Sequence, residues 1–316
     1  MKENLPLGLL SKHLPALGLE NPLYIENEND LFEDGAVPRR NLGIRYRGFA
    51  SVQSAVVFLP KSKALIDMTL ALVSGIVEEG GTVVLAGSND AGIRSARDAY
   101  EKNIGPVDQK IVGNHSALYV GKNRRLSASK KLEDFLSYGS IIYDTKSLEV
   151  AIVPGVFSAG ELDEGTKLLL DHIPYDRKKI LDVGCGAGII GAIYKKKNPT
   201  ADVTMSDSSE LAVFATRATF ERNDIEAKIL RSDVFDGIQE KFDAILCNPP
   251  FHKGVSTDYS FIEKFAKGAK ARLSPNGEVW VVANAFLSYA DILQKNIGPT
   301  EVVADDKRFK VYRSRV

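Results

Sequence analysis

The chain has 316 residues, of which 44% are hydrophobic and 26% charged. At roughly 150 residues per domain this length predicts two domains, and the composition is that of a globular protein, which excludes a disordered or collagen-like chain. The 41 basic and 41 acidic residues cancel to a formal charge of zero, so nucleic-acid binding would have to come from local basic patches. The two cysteines are too few for a disulfide framework.

The N-terminal segment lacks the charged region, apolar run and cleavage site of a signal peptide. No apolar stretch approaches the roughly 18 residues that suggest a membrane span. The four histidines are scattered, which predicts no metal site. We therefore expect a cytoplasmic protein that does not enter a membrane and holds no metal. We also expect a monomer.

The first half begins with a short helical pattern within residues 1–22 and continues with alternating strand and helix patterns. The predicted strands are residues 55–59, 82–86 and 117–120, and the predicted helices are residues 64–77 and 91–102.

An internal duplication is suggested because residues 82–92 and 180–188 are similar, each pairing an apolar strand with a glycine-containing turn. Two unrelated α/β domains are the alternative. Small and polar residues at 137–147 predict a boundary near residue 148, giving domains of residues 1–148 and 149–316.

The second half alternates short apolar runs with longer helical patterns, which is typical of a parallel sheet wound by right-handed crossovers. Seven strands are predicted at residues 179–183, 201–206, 227–231, 242–247, 278–283, 302–304 and 309–312, with helices at residues 189–197, 210–222 and 261–273. The fold class is therefore α/β with a seven-stranded, mostly parallel sheet in the second domain.

A glycine-rich turn follows the first of these strands and contains Gly184, Gly186 and Gly188. Glycine at this place lets a ligand approach the carboxyl edge of a sheet. The spacing departs from the dinucleotide fingerprint because Ile189 stands where the third glycine is expected. The acid Asp182, two residues before the first glycine, can anchor the turn or lie near an ammonium group. This pattern favours S-adenosylmethionine over NAD.

Two further acids follow the next strands. Asp207 stands where a carboxylate can accept hydrogen bonds from both ribose hydroxyls, although it could instead cap the following helix. Asp233 follows the third strand, where it could accept from an adenine amino group or cap a turn. We take both as candidate cofactor-binding residues.

The tetrapeptide Asn248-Pro249-Pro250-Phe251 comes directly after the strand at residues 242–247. The lone pair of an amino group on a base is delocalised into the ring, so the nitrogen is a poor nucleophile. The Asn248 side-chain oxygen and the Pro249 carbonyl could accept its two N–H bonds and direct the lone pair toward a methyl donor. Pro249 and Pro250 restrict the backbone, and Phe251 could stack on the target base.

These motifs resemble class I S-adenosylmethionine-dependent methyltransferases that act on an amino nitrogen. Five segments resemble, more narrowly, the ribosomal RNA small subunit methyltransferase C family: residues 153–158, 162–166, 248–254, 283–287 and 308–313. That family methylates guanine N2 in 16S rRNA. The resemblance implies two tandem Rossmann-like methyltransferase domains, the N-terminal one a degenerate copy that serves substrate recognition and support.

The same resemblance implies S-adenosylmethionine as the cofactor and 16S rRNA or the small ribosomal subunit as the partner. It also implies that Phe157, Thr166 and Asn248 lie against the cofactor, with a place in the core as the alternative for Phe157. Candidate phosphate contacts are basic residues in three clusters: Arg39, Arg40, Arg45 and Arg47; Lys122, Arg124 and Arg125; and residues 307–315.

Two kinds of alternative remain open. Because the tetrapeptide suits any amide or amino nitrogen, the substrate could be a guanine of large-subunit rRNA, an adenine N6 or a protein glutamine. A protein of a different class, a non-catalytic RNA-binding assembly factor, is disfavoured because Asn248 to Phe251 is intact.

Overall fold

The computed structural model describes residues 5–19, 22–26, 39–41, 51–124, 130–157, 160–249 and 255–316. The chain divides into two compact units, residues 1–136 and 137–316. Both are built on a mostly parallel sheet with helices against it, which confirms the α/β fold class. No helix in the described part of the chain is long and apolar enough to cross a membrane.

The first unit contains a six-stranded sheet. Its elements are α1 (Leu5–His13), β1 (Leu23–Glu26), β2 (Arg39–Asn41), β3 (Val52–Phe58), α2 (Lys63–Ile76), β4 (Val77–Ser88), α3 (Arg97–Asn103), β5 (Gln109–Gly113) and β6 (Ser116–Lys122). The strand order is β2-β1-β3-β4-β6-β5, parallel except for β6, which runs antiparallel to β4 and β5. The predicted strands and helices are present, and β1, β2 and β5 were not predicted.

The second unit contains the predicted seven-stranded sheet. Its elements are β7 (Ser137–Tyr143), β8 (Lys146–Ile152), α4 (Glu164–His172), β9 (Lys179–Val183), α5 (Ile189–Lys197), β10 (Asp202–Asp207), α6 (Glu210–Arg222), β11 (Lys228–Arg231), β12 (Phe242–Cys247), α7 (Val255–Ala269), β13 (Leu273–Asn284), α8 (Ala290–Asn296), β14 (Thr300–Asp305) and β15 (Phe309–Arg315). The order β11-β10-β9-β12-β13-β15-β14 is parallel except for β15. Leu181, Ile245 and Val281 on the central strands are fully buried. The apolar core therefore fixes β9, β12 and β13 and the positions of their carboxyl ends.

Residues 137–147, which the sequence predicted to be a polar boundary, belong to the hairpin β7–β8. Alternate side chains such as Ile141 and Leu148 are buried, and Asp144 and Thr145 form its turn with φ of 45° and 64°. The Ala151 N–H donates to Thr219 Oγ1 of α6 at 3.0 Å. The hairpin therefore packs with the second unit, and the expected boundary near residue 148 falls inside β8.

The two units share one strand arrangement. In both, a parallel pair (β3 and β4; β12 and β13) is extended by an antiparallel hairpin. The same backbone hydrogen bond recurs, from Asn89 N to His115 O at 2.8 Å and from Ala285 N to Arg308 O at 2.7 Å. This supports a duplication, but β4 corresponds to β13. The predicted alignment of residues 82–92 with residues 180–188 is therefore wrong.

The corrected correspondence identifies the counterpart of the tetrapeptide in the first unit. Leu59-Pro60 follows β3 as Asn248-Pro249 follows β12. A leucine side chain has no hydrogen-bond acceptor, so the first unit lacks the group to which we assign the chemistry.

Candidate active site at the carboxyl edge of the second sheet

The glycine-rich turn between β9 and α5 leaves open space beside two of its three glycines. Gly184 and Gly186 have φ of +74° and +56°, values that favour glycine. A Cβ on Gly184 would meet no described atom within 4 Å, and a Cβ on Gly186 would meet only the Phe157 carbonyl at 3.9 Å. At Gly188 it would lie 2.9 Å from Thr216 Cγ2. Gly184 and Gly186 thus border space for a ligand, while Gly188 allows close packing of α6.

Asp182 lies under this turn and is completely buried. Its Oδ2 accepts from the Gly191 N–H at 3.3 Å, and its buried Oδ1 has no hydrogen-bond partner among the described residues. Burial raises the pKa of Asp182 to about 7, an effect opposed by the Gly191 N–H and increased by the charge of Asp207. The carboxyl group is therefore bonded to the first turn of α5, directly after the glycine-rich turn, and its two possible roles stay predictions.

Asp207 joins the end of β10 to the same turn. Its Oδ2 accepts from the Gly186 N–H at 3.0 Å and its Oδ1 from the Ser209 N–H at 2.8 Å. Helix α6 is capped by Ser209, whose Oγ accepts from Ala212 N at 3.4 Å. The alternative role of Asp207 as the helix cap is therefore wrong, and its carboxylate is fixed at the edge of the open space.

Asp233 is held near this edge because Ser232 N donates to Asp207 O at 2.9 Å. The Asp233 carboxylate forms an ion pair of 2.6 Å with Lys264 of α7, and both side chains are about half exposed. Any ligand that used Asp233 would therefore share its carboxylate with Lys264.

Phe157 lies on the segment that passes beside the glycine-rich turn. Its side chain is 57% exposed, so the alternative of a core residue is wrong. Its carbonyl faces the Gly186 position, which places the residue next to the expected cofactor space.

The Asn248 side chain has a fixed orientation. Its Nδ2 donates to Thr166 Oγ1 at 2.8 Å and approaches Asp163 Oδ2 at 3.3 Å. Its Oδ1 is buried and has no partner among the described residues. Since both hydrogen-bond acceptors face the amide nitrogen, the oxygen is left to receive a donor that the described residues do not supply.

Pro249 is buried beside Asn248. Pro250 and Phe251, the other two residues of the predicted catalytic tetrapeptide, lie outside the described residues. Among the residues that the structure describes, no group of three or more His, Cys, Asp or Glu side chains could hold a metal ion.

A methyltransferase small domain model matches residues 147–313, and the corresponding N-terminal domain model matches residues 26–138. A relative from Aeromonas hydrophila named ribosomal RNA small subunit methyltransferase C is 37% identical over 273 residues, which cover 85% of this chain and 79% of the relative. The chain belongs to the ribosomal RNA small subunit methyltransferase C family. Another member, from Mannheimia succiniciproducens, is 34% identical and is matched over 96% of this chain and 97% of its own.

Among solved structures, a T. thermophilus 16S rRNA N2 G1207 methyltransferase in complex with AdoMet and guanosine superposes with a TM-score of 0.80. The match covers 99% of this chain and 92% of that one at 21% identity, so it shows a shared fold across both units. It agrees with the expected tandem arrangement of this methyltransferase family.

Sequence reasoning missed Asp163 as a site residue. Its Oδ2 caps α4 by accepting from the Thr166 N–H at 2.9 Å, and the same oxygen faces Asn248. The signal in the sequence was an aspartate at the start of a helical pattern, three residues before the residue whose N–H it binds. That pattern predicts a cap but does not predict the contact with Asn248, the residue that follows β12.

The predicted basic clusters are described only in part. The side chains of Arg39, Arg40, Arg45, Arg47 and Arg125 lie outside the described residues. Lys122 and Arg124 are exposed, and Lys122 Nζ donates to Thr82 Oγ1 at 2.9 Å. In the second unit Arg308 forms an ion pair with Glu164. These clusters therefore remain candidate phosphate contacts.

Proposed function

We propose that this chain uses S-adenosylmethionine to methylate the exocyclic N2 of a guanine in 16S rRNA. Its relatives are named as methyltransferases of small-subunit ribosomal RNA, and a protein with the same fold was solved with AdoMet and guanosine. The single observation that carries the chemistry is the Asn248 amide, whose nitrogen is engaged while its buried oxygen has no donor within the described part of the chain.

The residues at the turn fit the proposed cofactor. The open space beside Gly184 and Gly186 allows close approach of a ligand, and Asp207 offers carboxylate oxygens to ribose hydroxyls. Asp182 supplies a buried carboxyl group, which favours a nearby cation such as the methionine ammonium. When bound, the cofactor supplies an electrophilic methyl group on a sulfonium. We assign Phe157, Thr166, Asp233 and Asn248 to the same site, and Gly188 supports it by letting α6 pack closely against the turn.

The target amino group would be oriented by two acceptors. Asn248 Oδ1 takes one N–H and the Pro249 carbonyl takes the other, so that the nitrogen lone pair turns out of conjugation with the ring. The proline ring fixes φ of Pro249, and this carbonyl needs little reorganisation during the reaction. Phe251 would stack on the base, an interaction worth roughly 1–3 kcal/mol.

This arrangement needs no general base with a raised pKa. An amino nitrogen becomes acidic once it is alkylated and can release its proton to water. The protein therefore acts by orienting the target amino group and excluding its other orientations. This depends on the Asn248 amide keeping its nitrogen toward Thr166 and Asp163.

The test replaces Asn248 by alanine and follows methyl transfer to unmodified 16S rRNA. Removing one preorganised hydrogen-bonding group at a reacting centre costs about 100- to 1,000-fold in kcat. S-adenosylmethionine affinity, measured by calorimetry, should change far less. Near-full kcat in Asn248→Ala would refute the assignment.

Product analysis separates the remaining alternatives. Nucleoside mass spectrometry should find N2-methylguanosine in 16S rRNA, whereas modified large-subunit guanine, N6-methyladenine or methylated glutamine would identify another substrate. A complete lack of turnover with labelled donor, together with retained RNA binding, would favour the non-catalytic assembly factor.

We further propose that the protein acts as a monomer in the cytoplasm. All the described residues assigned to the site come from the second unit of one chain, so a single copy can assemble it. A ribosomal RNA substrate implies work where ribosomes are built. Light scattering coupled to gel filtration tests the oligomeric state.

A further inference from the structure

A cationic cleft lies in the first unit, at the end of the sheet where β4 stops. Its volume is about 340 Å³. Three elements contribute basic side chains to it: Arg94 from the 3-10 turn after β4, Lys110 from β5, and His115 from the turn between β5 and β6. The other described residues of the lining are neutral and include Asn89 and Ser116, so none of them is a carboxylate.

The two permanent cations of the cleft have no acidic partner within ion-pair distance among the described residues. Nearby cations of the same unit are engaged, since Arg97 pairs with Glu101 and Lys102 pairs with Asp67, each at 2.9 Å. Lys110 Nζ instead lies 5.9 Å from the centre of the buried Tyr119 ring. Two cations without a described acidic partner at one cleft generate a local positive potential, although the net charge of the whole chain is zero.

The backbone around the cleft is rigidly defined. Asn114 and His115 occupy the left-handed region with φ of 47° and 53°, as a two-residue hairpin turn requires. The His115 carbonyl accepts from Asn89 N at 2.8 Å, which joins the hairpin turn to the loop after β4. The basic groups are therefore presented from a fixed frame, so a ligand need not order the loop.

The corresponding turn of the second unit shows what is distinctive here. There Arg308 takes the place of His115, and it pairs with Glu164. At the equivalent turn of the first unit, His115 lines a cleft together with Arg94 and Lys110, and the described residues place no acidic side chain in that lining.

We propose that this cleft of the first unit binds the phosphodiester backbone of the RNA substrate. The inference rests on the proposed function only in taking RNA as the substrate. Arg94 and Lys110 would each contact a phosphate, and His115, Asn89 and Ser116 would offer hydrogen bonds to phosphate or ribose oxygens. Such contacts position the RNA without reading its sequence.

The experiment compares two double variants of the full-length chain that lose the same charge. R94Q/K110Q removes the free cations of the cleft, and R97Q/K102Q removes two cations that are already paired. Arg94 and Lys110 are exposed, so their loss should leave the fold intact. Binding of an unmodified 16S rRNA transcript is measured at several salt concentrations, with inorganic phosphate as competitor in a separate arm.

The expected result follows from counterion release. Two lost contacts to single-stranded RNA should reduce the slope of log K against log salt by about 1.4, which at 0.1 M salt is roughly a 25-fold loss of affinity. R97Q/K102Q should change both quantities much less, and S-adenosylmethionine affinity should be unaltered in both.

The proposal would be overturned if the two variants weakened RNA binding equally, because a general electrostatic attraction would then explain binding. It would also be overturned if neither variant changed RNA binding. Full displacement of RNA by millimolar phosphate would also overturn it, since the site would then serve a free anion. RNA affinity is measured without turnover. A chain that binds RNA through the cleft but makes no N2-methylguanosine would therefore contradict the proposed function alone.

Discussion

Replacing Thr166 by valine removes the hydroxyl that accepts from Asn248 Nδ2 at 2.8 Å while keeping the size and branching of the side chain. The Asn248 amide would keep only the longer contact of 3.3 Å with Asp163 Oδ2. Thr166 is buried and its hydrogen bond with Asn248 is partly buried, so the freed N–H would have restricted access to water. An unsatisfied buried donor costs about 1–3 kcal/mol, and if this loss falls on the productive orientation of the amide, kcat should drop about 5- to 150-fold.

Single-turnover methylation of unmodified 16S rRNA measures that drop, and calorimetry gives S-adenosylmethionine affinity on the same samples. Thr166→Ser keeps a hydroxyl and should restore most of the rate, whereas a purely structural defect would not respond to the hydroxyl. The reasoning would be refuted if Thr166→Val kept its kcat and instead weakened cofactor binding. Thr166 would then serve only the cofactor contact that the family resemblance implied, and would not orient Asn248.

Three other predictions follow from the same site. Gly188→Ala should lower the free energy of unfolding by about 2 kcal/mol or more, because its Cβ would lie 2.9 Å from Thr216 Cγ2. Gly184→Ala, whose Cβ would meet no described atom, should lose cofactor affinity more than stability, and urea melts and calorimetry measure the two effects separately. Burial raises the pKa of Asp182 to about 7 from roughly 3.9 in an unfolded chain, so the folded state keeps a proton that the unfolded state releases. Stability should therefore fall by up to roughly 4 kcal/mol as pH rises from about 4 to about 7, and Asp182→Asn should flatten this dependence in melts across that range. Calorimetry should find one S-adenosylmethionine per chain, and a second site, or binding by the first unit alone, would contradict the degeneracy of that unit.

The sheet of the second unit was predictable because each strand is an apolar run that ends at a distinct polar or glycine signal. The strand at residues 179–183 and its glycine-rich turn, and the strand at residues 242–247 and its Asn-Pro-Pro, appear where expected. Burial on both faces demands continuous apolar sequence, which makes such strands easy to recognise.

The hairpin β7–β8 was missed although its signal was present. Ile141, Tyr143, Leu148 and Val150 are buried at alternate positions, as a half-buried hairpin requires. The turn uses Asp144-Thr145 in the left-handed region, where the usual signal is Asn-Gly or Asp-Gly. Polar residues between the buried ones made the segment resemble a linker.

The correspondence between the two halves was predicted in the wrong register for a physical reason. An apolar strand followed by a glycine-containing turn occurs several times in any α/β domain, so residues 82–92 match more than one place. Strand order and direction distinguish these places, and both depend on pairing between distant segments.

The site residues could be found from motifs, but their contacts could not. Asn248 and Thr166 are 82 positions apart, and their hydrogen bond depends on how α4 lies relative to the end of β12. The ion pair of Asp233 with Lys264 likewise joins segments 31 residues apart. Neither contact leaves a local pattern in the sequence.

Leu59 has a packing role in the first unit at the position where the second unit carries Asn248. Its side chain packs with the core of that unit, and a Cβ on Gly87 would lie 2.7 Å from it. An asparagine at this position would place a polar amide among apolar neighbours. Leu59→Asn alone would therefore not give the first unit the oriented amide that Thr166 and Asp163 provide in the second. Sequence changes at this edge of the first sheet are limited by packing, whereas those at the equivalent edge of the second sheet are limited by the chemistry that we assign to Asn248.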